Sequence, residues 1–81
     1  MSLYHLVEKA EDVETIIHEV EEQGARFLTQ VRHAASPVVH LYFEGEEWDL
    51  EVHNEKVKSG VDPEVFDFLV AEGLINREDY E

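Results

Sequence analysis

The sequence predicts an α+β fold in the order α-β-β-β-α, a three-stranded antiparallel meander with two helices packed on one face. Three observations carry that expectation. Val38 to His53 alternates apolar and polar residues about Gly45, residues 3 to 23 carry an amphipathic stripe, and Asp62-Pro63 opens a third periodic segment. With 81 residues and no cysteine, the chain is expected to make one domain over 1–81. A domain of that size buries roughly 60% of its unfolded surface and here must stand on packing alone.

In chain order, Leu3, Leu6, Val7, Ala10, Val13, Ile16, Ile17 and Val20 recur at steps of three and four, as one face of a helix requires. A continuous helix capped by Ser2 and stopped by Gly24 is favoured over a parse in which Tyr4 to Val7 form a short strand and the helix begins near Asp12. Ala25 to His33 reads as a strand, with Phe27, Thr29 and Val31 on one face and Leu28, Gln30 and Arg32 on the other. Ala34 to Pro37 turns the chain back.

The next strand begins the hairpin. Gly45-Glu46 suits a type II′ loop, whose first position needs φ > 0. That register sets Phe43 opposite Trp48, Leu41 opposite Leu50 and Val39 opposite Val52 on the core face. Tyr42 then faces Asp49, and His40 faces Glu51, on the polar face. Asn54 to Gly60 is a polar exit loop. Asp62 caps the last helix, Pro63 takes its first position, Val61 staples to Phe66, and Gly73-Leu74 ends it. Asn76 can cap one further turn.

The element order resembles that of double-stranded-RNA-binding domains. Where that family carries a lysine cluster, this chain reads Ser59-Gly60-Val61-Asp62-Pro63-Glu64. The resemblance therefore covers element order and implies no RNA binding.

Six Lys and Arg stand against twenty Asp and Glu, a formal charge of −14, which repels phosphate backbones and argues against direct nucleic-acid binding. Such acidity serves solubility or life in high salt, an interface for a basic partner protein, or mimicry of nucleic acid toward a nucleic-acid-binding protein. No apolar run reaches the ~18 residues of a membrane span, and no signal peptide is evident, so a cytoplasmic protein without membrane contact is expected.

Two candidate sites follow. His40, Glu51 and His53, with Asp49 beside them, are the imidazoles and carboxylates a divalent metal such as Zn²⁺ takes, although polar side chains on an exposed sheet face meet by default. A partner surface would use Arg32, Tyr42 and Asp49 on the sheet, or Glu11, Glu14, Glu21 and Glu22 on the helix. His5 and His18 on the first helix and His33 at a strand end are scattered, leaving only His40 and His53 as neighbours. Phosphate-loop, dinucleotide and hydrolase motifs are absent, so neither catalysis nor a cofactor is expected. The expected function is a small acidic binding or regulatory protein acting through a protein–protein surface, homo-oligomerisation included. The alternatives are metal-dependent activity at the His/Glu patch and mimicry of nucleic acid.

Overall fold

The computed structural model describes residues 2–45 and 58–80. The returning hairpin strand with Trp48, Leu50 and Val52, and the exit loop to residue 57, lie outside the described residues. Among the described residues four strands, β1 (Ser2–Lys9), β2 (Arg26–Arg32), β3 (Val38–Gly45) and β4 (Lys58–Ser59), form an antiparallel sheet in the order β2-β3-β1-β4. A 3₁₀ turn at Ala10–Asp12 leads into α1 (Val13–Glu22). Helix α2 (Pro63–Ala71) follows β4, and a second 3₁₀ turn spans Arg77–Tyr80. The α+β class, the antiparallel sheet and, among the described residues, two helices are as expected from the sequence.

The first element is a correction. Residues 2–9 form the strand of the shorter parse, and the helix starts only at Val13. β1 lies inside the sheet, with Leu6 paired to Leu41 and Tyr4 to Phe43 on one side and Tyr4 paired to Ser59 on the other. An interior strand covered on both faces carries apolar residues on both, and that pattern imitates helical spacing.

The strand pleat divides the core in two. Tyr4, Leu6, Val39, Leu41 and Phe43 pack with Val13 and Val20 of α1, joined by Ile16, Ile17 and Phe27. Leu3, Leu28 and Tyr42 pack with Leu69 of α2 and Ile75, joined by Val65, Phe66, Val70 and Tyr80. Both helices were expected on the Phe43 face. That face takes α1, and α2 covers the Tyr42 face instead, because successive residues of β1 and β3 supply apolar side chains to opposite sides.

An irregularity in β2 finishes this division. Phe27 pairs with Phe43 but Thr29 with Tyr42, so Leu28 is the extra residue of a bulge. Beyond it the faces exchange, and Val31 joins the α2 cluster rather than sharing Phe27's side.

The helix ends follow the glycines. At α1, Gly24 N–H bonds Glu21 O at 3.1 Å and Ala25 N–H bonds Val20 O at 3.3 Å, with Gly24 at φ 100°. At α2, Gly73 N–H reaches Val70 O and Leu74 N–H reaches Leu69 O, both at 3.0 Å, with Gly73 at φ 74°. Both are Schellman closures. Asp62 takes the N-cap position of α2 with extended backbone and Pro63 follows it, without a side-chain cap bond from Asp62. Asn76 caps the closing turn, its Oδ1 accepting from Glu78 N–H at 3.1 Å. Gly45, in contrast, does not take the left-handed turn conformation. It is the last residue of β3, paired with Ser2, where an added Cβ would lie 3.6 Å from Ala25 Cα.

A polar lock ties the closing turn to the sheet. Glu44 is buried; its Oε1 accepts from Arg26 Nε at 2.7 Å and from Arg26 Nη2, and its Oε2 accepts from the Tyr80 hydroxyl at 2.5 Å. Burial, then the hydrogen bond to Glu44, pushes the Tyr80 phenol well above its ordinary range.

Candidate functional site

Antiparallel pairing sets His5 opposite Tyr42 and Val7 opposite His40, so His5, His40 and Tyr42 project to the same side of the sheet as α2. The His5 ring lies nearly parallel to both neighbours, with ring centroids 4.8 Å from Tyr42 and 5.0 Å from His40. His5 Nε2 and His40 Nδ1 are 2.8 Å apart, a hydrogen bond that holds one proton between two imidazoles. His33, at the end of β2, meets His40 edge to face with centroids 5.7 Å apart.

These residues floor an open cleft of about 480 Å³ between the strands and the N-terminal half of α2. Val31, Val65 and Phe68 supply its apolar walls, and Asp62 and Glu64 its acidic lip. Phe68 is 43% exposed, the one exposed large hydrophobic side chain among the described residues. Tyr42 is buried, and its phenol is pushed upward from the ordinary value first by burial and then by the Asp62 charge. The floor therefore presents a neutral phenol and imidazoles beneath two carboxylates. That chemistry suits a cation with an apolar stem.

The residues singled out from sequence are distributed otherwise than expected. Tyr42 and His40 share this cleft, but the face they occupy is covered by α2 rather than open. Arg32 does not join them: beyond the bulge it turns to the α1 side, where it lines a separate cleft of about 510 Å³ with Glu11 and Glu14. Glu21 and Glu22 are exposed at the far end of α1, Glu22 Oε1 lying 2.9 Å from His18 Nε2. Asp49, Glu51 and His53 lie outside the described residues. Among the described residues no three His, Asp or Glu side chains are placed to hold a metal ion.

His5 and His33 were the missed members. Assigning residue 5 to a helix removed it from the sheet, and the available signal was the alternation of Tyr4, Leu6 and Glu8 with Leu3, His5 and Val7 across β1. Among the described residues no helix is long and apolar enough to cross a membrane. No family model, curated protein or solved structure matches the chain.

Proposed function

We propose that the chain is a binding protein that takes a basic segment of a partner protein into the cleft between the sheet and α2. The observation that carries this reading is the cleft's composition: an aromatic and aliphatic interior under the Asp62 and Glu64 lip, with Phe68 exposed beside it, on a chain of net charge −14. An exposed aromatic next to a concave surface is the usual anchor of a protein interface. The acidic outer face of α1, with Glu11, Glu14, Glu21 and Glu22 exposed, would steer a basic partner from a distance and act on association rate. The role is binding without catalysis.

The test is fluorescence anisotropy with a labelled short Arg/Lys peptide carrying one Leu, between about 0.05 M and about 0.5 M salt. Saturable one-to-one binding is expected, weakened by salt. Phe68→Ala and the pair Asp62→Lys, Glu64→Lys should each weaken it about tenfold or more. Charge reversal at Glu21 and Glu22 should chiefly slow association. Binding that does not saturate, or that ignores both cleft changes, would refute the reading.

A further inference from the structure

We infer that the cleft receives a single lysine or arginine side chain of the partner, and that this cation competes with a proton on the His5–His40 pair. The inference rests on the binding reading above and assigns its ligand chemistry and its control. The floor of the cleft has two charge states available without rearrangement. With one proton in the 2.8 Å bridge and one on the outer nitrogen of the accepting ring, the pair is uncharged. A further proton on an outer nitrogen makes the pair a cation while the bridge survives.

Only a third state breaks the geometry. Two protonated rings would point N–H at N–H across 2.8 Å, which a hydrogen bond cannot bridge. The bridge thus limits the floor to one added charge before the rings part. Imidazole is the side chain whose charge ordinarily changes between pH 5 and 8.

The surroundings decide what that charge does. His5 faces Tyr42 and His40 from β3, and Lys58 is its register partner on β4. His33 approaches His40 from the end of β2, and from α2 the cleft is bounded by Asp62 and Glu64. The phenol of Tyr42 stays neutral, its ionisation being opposed by burial and by Asp62. Among the described residues that line the cleft none carries a positive charge when the histidines are neutral, and an ammonium or guanidinium lodged over the rings would answer the acidic lip. Its aliphatic stem would lie along Val65 and Phe68. Once the pair is protonated, the same carboxylates are already answered, and a second cation a few ångströms away is repelled. Like charges ~6 Å apart, between the dielectric of water and the ~20 of a protein surface, give roughly a tenfold loss of affinity.

The experiment measures binding of the labelled Arg/Lys peptide at pH 7.5 and pH 5.5 to the wild type, His5→Gln, His40→Gln and His18→Gln, each confirmed folded by circular dichroism. His18 lies exposed on α1, beside Glu22 and on the face of the sheet opposite α2. The wild type and His18→Gln should lose about tenfold on acidification, and the two cleft variants threefold or less. If His40→Gln and His5→Gln keep the full loss, overall charge is responsible and the inference fails. A second measurement needs no variant: in an NMR titration, saturating peptide should lower the pH midpoints of the His5 and His40 ring signals and leave His18 unmoved, as linkage requires. Unmoved midpoints at His5 and His40 with peptide bound would overturn the inference while leaving the binding reading intact. Absence of peptide binding at pH 7.5 would overturn both.

Discussion

Tyr80→Phe removes a single hydroxyl whose acceptor is a buried carboxylate. Glu44 is 5% exposed and takes Tyr80 Oη–H on Oε2 while Arg26 serves Oε1. A hydrogen bond to an ionised group contributes about 1.5–3 kcal/mol net. The Arg26 side chain is 61% exposed, so solvent reaches that side of the lock and the lower half of the range applies, about 1.5–2 kcal/mol. A chain of this length has about 4–12 kcal/mol in all, at ~0.05–0.15 kcal/mol per residue. At about 4–8 °C per kcal/mol, the melting temperature should fall by roughly 10 °C.

Urea unfolding at pH 7 measures it, with the midpoint lowered and the slope m unchanged. The pH arm has a definite sign. The unfolded phenol releases its proton near pH 10, while the folded Tyr80 holds its proton to higher pH because of burial and Glu44. Wild-type stability should therefore fall as pH rises above about 10, and the variant should lose part of that fall. Tyr42, also shifted upward, supplies the remainder. A loss below ~0.5 kcal/mol at pH 7, or an unchanged alkaline slope, would show that the lock does not anchor the closing turn.

Two other perturbations probe the cluster under α2. Leu69 is fully buried at its centre, so Leu69→Ala should cost about 3–4 kcal/mol, within the ~2.7–5 range of such cavities; thermal unfolding checks it, and a loss under about 2 kcal/mol would mean the cluster collapses onto the gap. Asp62→Asn removes the charge that, after burial, raises the Tyr42 phenol; spectrophotometric titration should show that phenol ionising at lower pH than in the wild type yet still above the ordinary tyrosine range.

The parts legible in sequence are those whose determinants are local. Asp62-Pro63 and Gly73-Leu74 bracket α2 within a turn at each end, Gly24 closes α1, and Ala34 to Pro37 joins two strands that pair with each other. The parts that were not legible depend on partners distant in the chain. Within residues 2–9 the alternation carries apolar residues on both faces and so imitates a helical stripe; the strand is decided by Leu41 and Phe43, with which Leu6 and Tyr4 pair. Likewise the bulge at Leu28 moved Val31 and Arg32 to faces that simple alternation does not give them. The candidate site inherited both errors. His5 was placed on the wrong element and Arg32 on the wrong face, so the histidine floor emerges only once β1 stands beside β3.

The central place of β1 sets the order in which the molecule can be assembled. Lys9 pairs with Val38, Ser2 with Gly45, and Tyr4 with Ser59. Both hydrogen-bonding edges of β1 are thus satisfied by residues made later than it. During synthesis at about 5–20 residues per second, β1 would wait several seconds for β3, apolar on both faces and paired on neither edge. The entropy of closing those long loops is lost before their contacts repay it, which slows folding. Meanwhile Glu11, Asp12 and Glu14, directly behind the exposed segment, would keep nascent copies apart by charge repulsion. On that view part of the −14 protects the unfinished chain as well as serving the finished one.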